Sequence, residues 1–250
     1  MKHIIFLFLF LLLSNMKSLG QIDTITATNS KLNLKRLQEG KATYLVYFTD
    51  SNFVRKGVGD IWERNTHFST LNNKPVVEFG WKWINKDTVI ANVINICEKA
   101  TMKPIFHKAN YGKRGIIAYD FVGKEMIASD TVANNKVLKN PKITLNIPIL
   151  NWELDLETYP LLPIKKIGQQ FLISFMDANS PIPAYHLYEV IGKEAIAVNI
   201  DTKTNCWILK HTDATHPNYY ALFYLSEKSG EVIKMKEYFQ GMYRFKVKLY

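Results

Sequence analysis

From position 42 to the end of the chain, apolar and polar residues alternate with a period of two, in short runs broken by Gly, Asn, Asp or Pro. Such runs recur about every ten residues, the spacing of antiparallel strands joined by tight connections. They cover 43–49, 60–70, 75–84, 87–97, 103–111, 116–122 and 125–132, then, beyond a polar stretch at 133–142, 169–176, 184–191, 195–200, 205–211, 219–225, 231–239 and 242–250. The pattern predicts an all-β, mainly antiparallel fold of about fourteen strands with at most one or two short helices. Strands do not alternate with helical stretches, which excludes a parallel α/β sheet. Residues 42–250 are expected to form a single β domain, built as one unit or as sub-sheets at 42–142 and 143–250.

Outside this frame the periodicity changes. Residues 21–41 are polar, with one short amphipathic stretch at 32–37, and read as an N-terminal tether. Segment 150–160 is ambiguous. Leu150, Trp152, Leu154 and Leu156 alternate as in a strand, whereas Trp152, Leu156 and Tyr159 also fall at helical spacing. There Asn151 is a candidate cap and the early carboxylates suit a helix N-terminus. In the last hairpin, a two-residue Gln240-Gly241 turn sets Met235 against Lys246. A three-residue loop at 240–242 separates the faces, with Phe239, Met235 and Ile233 against Tyr243, Val247 and Leu249. Face segregation normally sets register, so the three-residue loop is expected. It gathers Lys234, Lys236, Lys246 and Lys248 into a basic face, at a cost in like-charge repulsion that acidic neighbours or an anionic partner relieve.

The first twenty residues bear on compartment. Lys2 and His3 precede an unbroken apolar run at 4–13, and the small residues Ser18 and Gly20 precede Gln21. This is the pattern of a secretory signal peptide at 1–20. The run is about ten residues, too short for the ~20 of a bilayer span, so no transmembrane segment is expected after cleavage. No cysteine follows the cleavage point, so a lipid anchor is not expected, and the mature protein is read as periplasmic or extracellular. Hydrophobic content of 47% with 22% charged residues excludes a disordered chain. The formal net charge of +10 then points, outside the cytoplasm, to an anionic envelope surface such as lipid or polysaccharide rather than to nucleic acid. Cys97 and Cys206 both lie in strand-like runs. They are either one disulfide, contributing up to about 4.7 kcal/mol in chain-entropy terms, or two buried thiols.

Sequence motifs for catalysis are missing: there is no Gly-x-Ser-x-Gly elbow, no His-Glu-x-x-His and no Walker loop. His211, Asp213 and His216 fall in a loop context and read as surface residues rather than metal ligands, so neither a metal nor a cofactor is expected. Glu153, Asp155 and Glu157 read as solvent-facing charge. A hydrolase using them, or His107 or His186, is the least favoured function. Phe79, Trp81 and Trp83 alternate onto one face, where core packing is the default and a platform for a sugar or acyl chain is the alternative.

The C-terminal third carries a resemblance. The run from Tyr188 to Glu194 precedes the one from Asn205 to Lys210, and then come those from Ala221 to Ser226 and from Val232 to Lys236. In this order they resemble a bacterial family of secreted proteins of unknown function whose members look like the periplasmic lipoprotein carriers. The match covers residues 170–250. It implies a curved antiparallel half-barrel or open barrel, with a lid crossing an apolar concave face at about 151–163 and a tilt toward helix in that segment. The combined expectation is a non-enzymatic extracytoplasmic module that binds an apolar or amphiphilic ligand, such as a lipid or acyl chain. Phe79, Trp81, Trp83, Trp207 and Phe223 are its candidate pocket residues. A structural or interaction protein of the cell envelope with a filled core is the alternative.

Overall fold

A computed structural model describes residues 22–29, 31–136, 141–176, 182–213 and 215–250; the leader expected at 1–20 lies outside them. Strands β1 (Ile22–Ile25), β2 (Gly40–Asp50), β3 (Arg55–Leu71), β4 (Lys74–Asn85), β5 (Thr88–Glu98) and β6 (Pro104–Asn110) are followed by β7 (Ile116–Val122), β8 (Glu125–Ala128), β9 (Lys142–Thr144) and β10 (Leu150–Asn151). A helical segment comes next: a 3-10 turn at Trp152–Leu154, one turn of α-helix, α1 (Asp155–Thr158), and a second 3-10 turn at Tyr159–Leu161. Strands β11 (Gln170–Met176), β12 (Ala184–Ala197), β13 (Lys203–Asp213), β14 (His216–Ser226), β15 (Val232–Phe239) and β16 (Met242–Leu249) complete the chain.

All of these strands belong to one 16-stranded sheet in the order β1-β11-β12-β13-β14-β15-β16-β2-β3-β4-β5-β6-β7-β8-β9, with β10 beside β11. The two expected sub-sheets are therefore continuous, joined where β16 pairs with β2. The sheet is antiparallel except at β1 and β10, which run parallel to β11. The expected tether thus supplies a strand: β1 pairs with β11 and places Ile25 in the core, and Ala27 and Leu32 follow it inside. One face of the sheet is concave and wraps the helical segment. The main core cluster joins Leu154, Leu156, Tyr159 and Leu161 of that segment to Val46, Phe79, Val93, Leu209, Phe223 and Met235 from strands all around the sheet. Helix wins over strand here because Asn151 Oδ1 accepts the Glu153 N–H at 3.0 Å and caps the first turn.

Residues at Asn72-Asn73, Lys86-Asp87 and Gln240-Gly241 have positive φ at both central positions of two-residue turns. Such turns match the right-handed twist of the strands they join. The last of them corrects the expected three-residue loop. Glu237 faces Arg244, Met235 faces Lys246 and Phe239 faces Met242. The reason lies in what the concave face holds. Lys246 is buried and points inward to Asp155, with Nζ 3.0 Å from Oδ2. Arg244 pairs with Glu237, and Lys248 with Glu231. Tyr243 and Phe245 lie on the other face, where Phe245 stacks on Tyr47 with centroids 5.0 Å apart. The strand is thus inverted, charged residues inward and rings outward, because the helical segment brings carboxylates into the concavity.

That segment is latched at two points. Arg64 of β3, 4% exposed, donates from Nε to Glu157 Oε1 at 2.7 Å, from Nη2 to Glu157 Oε2, and from Nη2 to the Glu153 carbonyl at 3.1 Å. Its guanidinium lies 3.5 Å above the Trp81 ring. Lys246 holds Asp155, which Arg64 also approaches at 3.8 Å. The two substitutions at the second latch therefore differ in cost. Asp155→Ala strands a buried cation and is expected to lower stability by about 3–5 kcal/mol. Lys246→Met leaves Asp155 with Arg64 and fills the same space with apolar atoms, so its loss is expected to be less than half as large. Denaturant midpoints at constant m-value measure both, and equal losses would contradict the assignment.

Candidate functional site

The five rings expected to line a pocket belong to the main core cluster or pack against it, but they do not enclose one hollow. Phe79 and Trp81 are buried in the main core. Trp83 is half-buried and stacks on Trp62, with centroids 4.8 Å apart and planes 1° from parallel, while Trp81 sits 6.2 Å from Trp62. Trp207, on β13, packs against the same cluster and carries the Lys193 ammonium 3.9 Å above its ring. Phe223 alone of the five borders the hollow described below.

The expected basic face is likewise divided by the hairpin register. Lys234 and Lys236 lie on the convex face, where the Lys236 ammonium is 4.6 Å from the Tyr243 centroid, while Lys246 and Lys248 point into the concavity. Cys97 and Cys206 are free thiols: Cys97 belongs to the central cluster and Cys206 to a separate cluster with Tyr224 and Ile233. The expected solvent-facing carboxylates all turn inward. Glu153 accepts from the Tyr111 hydroxyl at 2.6 Å, Asp155 pairs with Lys246, and Glu157 with Arg64.

His107 is part of the same anchoring. Its Nδ1–H donates to Asn95 Oδ1 at 2.8 Å, and that oxygen also accepts from Asn151 Nδ2 at 2.6 Å. Because an amide oxygen only accepts, Nδ1 carries a proton, and burial, which pushes the pKa down, keeps the ring neutral even with Glu153 Oε2 3.4 Å from the same nitrogen. The chain His107–Asn95–Asn151 ties β6 and β5 to the cap of the helical segment.

The helical segment does not cover the whole concave face. Beyond Tyr159, the inward residues of β11 to β16 form an open end lined by rings. Phe175, His186, Tyr188, His211, Tyr219 and Phe223 surround a hollow of about 210 Å³, closed on one side by Glu237 and Arg244. A second hollow of about 280 Å³ shares Tyr219, Glu237 and Arg244 and continues to Phe48, Phe239 and Met242. The two form one groove. Tyr188 and His211 stack at 4.6 Å, His211 meets Tyr219 edge-on at 5.8 Å, and Tyr219 meets Phe239 edge-on at 6.1 Å.

Polar groups in the groove are few and fixed. The Tyr159 hydroxyl donates to that of Tyr188 at 2.8 Å, and the Tyr219 hydroxyl donates to Glu237 Oε1 at 3.1 Å. His211 bonds the Leu187 carbonyl through Nδ1 at 2.9 Å, and burial pushes its pKa down against that bond, so the ring is neutral at pH 7. Burial likewise pushes the Tyr219 phenol up, aided by Glu237. Such a surface can stack against an apolar or flat body and orient one polar end at Arg244 and Glu237. The sequence carries these residues in the alternation 219-221-223 and 235-237-239. Their convergence depends on strand register and on where the helical segment stops, neither of which the pattern contains.

Residues 43–248 match the model of a family described as a protein of unknown function, DUF3108. The chain belongs to that family. No curated protein matches the sequence. Among solved structures, the chain is similar to a β-barrel-like protein of the domain of unknown function DUF1849 from Brucella abortus, at 11% identity and a TM-score of 0.48, over 84% of this chain and 95% of that one.

The anchoring histidine yields a pH prediction. Burial pushes the His107 pKa down to about 3, whereas an unfolded histidine titrates near 6.5. Between those values the unfolded state holds the extra proton, so stability rises with pH and is lost as pH falls from about 6.5 toward 3. This one group contributes a slope of about 1.4 kcal/mol per pH unit over that window. Denaturant unfolding from pH 7 to 4 should show it, and His107→Gln should flatten the profile. An unchanged profile in the variant would remove His107 from the account.

Proposed function

We propose that this member of the DUF3108 family is an exported, non-enzymatic binding module that holds an amphiphilic ligand, an acyl or flat apolar body with one polar end, in the groove at the open end of the concave face. One observation carries the reading: the helical segment fills the middle of the concavity but leaves uncovered an end lined by Phe175, Tyr188, His211, Tyr219 and Phe239, with the Glu237–Arg244 ion pair beside the rings and Asp155, held by Lys246, at its inner end. The rings offer apolar contact and the ion pair a place for a polar terminus. About eight methylenes buried there, at about 0.8 kcal/mol each, give about 6 kcal/mol before ordering costs, the range of a weak and reversible carrier. The apolar leader at 1–20 supports export. The filled middle of the concavity favours a second reading, an envelope interaction protein with no small-molecule ligand.

Native mass spectrometry of gently purified, exported protein, followed by organic extraction, separates the two. A stoichiometric lipid or fatty acid is expected. Decanoate titrated into the stripped protein should bind, and Tyr219→Ala and Phe239→Ala should each weaken it about tenfold, or 1.4 kcal/mol. Trp207→Ala, on the same face but outside the groove lining, should leave it unchanged. A clean apo-protein that ignores decanoate would establish the interaction reading instead.

A further inference from the structure

The helical segment has a second end, and its surroundings are of the opposite character. A cleft of about 400 Å³ lies between the start of β2, the turn at 228–231 and the stretch 35–39, with Arg64 and Pro160 among its lining residues. Tyr44 and Val232 line this cleft, whereas Phe48 and Glu237, farther along the same strands, line the groove. Val46 lies between them in the core under the helical segment, so the two openings are separate.

The charges of the cleft do not cancel. Its carboxylates already have partners: Glu39 holds His67 at 2.9 Å and the Phe68 N–H at 2.7 Å, Glu157 holds Arg64, and Glu231 holds Lys248. Its exposed cations do not. Among the described residues Lys35, Lys41 and Lys228 have no carboxylate partner, and Arg36 reaches only the Pro160 carbonyl, at 3.4 Å. Arg64 adds a buried donor: Nε and Nη2 are engaged, but Nη1 has no hydrogen-bond acceptor. A buried donor left unpaired costs about 1–3 kcal/mol, which an arriving oxygen would recover.

Backbone geometry keeps the cleft close to these groups. Gly230 has φ +81, and a Cβ there would lie 2.6 Å from the Pro160 carbonyl oxygen and 2.9 Å from Arg36 Nη1. Only glycine lets the turn seat against both.

From this convergence we propose that the cleft binds a phosphorylated small molecule or headgroup of about the size of glycerol phosphate, with its phosphate oxygens taken by Arg64 Nη1, Arg36 and the lysines at 35, 41 and 228. A phosphate suits the site better than a single carboxylate, because it brings up to two charges and several acceptor oxygens to exposed cations, Lys35, Arg36, Lys41 and Lys228, that no carboxylate holds. The cleft exceeds a bare phosphate and leaves room for the group that carries it. The assignment does not rest on the ligand proposed for the groove.

The test is titration of the full exported chain with inorganic phosphate and with glycerol phosphate at constant ionic strength, followed by backbone amide shifts. The amides of 35–41 and 228–231 are expected to move together and to saturate. The triple variant Lys35→Gln, Lys41→Gln, Lys228→Gln, confined to exposed side chains, should weaken binding at least tenfold, and Gly230→Ala should weaken it by crowding the cleft. Co-sedimentation with phosphatidylglycerol vesicles identifies the source of the phosphate. Displacement from the vesicles by soluble glycerol phosphate marks a free solute, and retention that depends on the same lysines marks a lipid headgroup. Shifts that never saturate and spread over lysines elsewhere, or an unchanged affinity in the triple variant, would overturn the proposal.

Discussion

The structure depends on a salt-bridged plug. Arg64 and Lys246, from strands separated in the sheet by β2, reach into the concavity and grip Glu157 and Asp155 of one short helical segment. Removing four charged groups from water is expensive, and an apolar plug of the same volume would stabilise the fold at least as well. What the ion pairs supply is position. Leucines in a greasy trough can slide along it, but a guanidinium bound through two nitrogens of one edge to Glu157 and stacked on Trp81 admits one placement. The neutral chain from His107 through Asn95 to Asn151 fixes the beginning of the segment in the same way.

That constraint explains which parts of the molecule the sequence could disclose. The all-β class and the position of nearly every strand are legible because alternation needs no knowledge of what a strand faces. The last hairpin is misread for the same reason. Placing Met235 and Val247 together assumes that the concave side wants apolar atoms, and it fails where the concave side contains Asp155 and Glu157. The acidic row at 153–157 and the lysines of β16 are each unremarkable alone. Together they are one buried network, and only the fold brings positions 64, 155, 157 and 246 into contact.

The N-terminal stretch illustrates a different limit. Residues 22–25 are too few and too polar to announce a strand, yet they close the sheet beyond β11 by parallel pairing, for which local sequence gives no hairpin signal. Both ends of the sheet are strands of this kind, β1 with four residues and β9 with three. Short edges limit the row of unpaired backbone groups offered to another chain, so an open sheet of this size stays protected without closing into a full barrel.

A filled concavity and a binding concavity then cease to be competing descriptions. The plug is only about three turns long, while the inner strands extend past it at both ends. The middle of the trough, around Val46, Phe79 and Met235, is core in the ordinary sense. At one end the sheet presents aromatic rings beside the Glu237–Arg244 pair; at the other, cations that exceed their carboxylates. Because both openings border the same anchored segment, whatever loosens the Arg64 or Lys246 latch disturbs the two together, through Tyr159 and Asp155 on one side and Leu156, Glu157 and Pro160 on the other.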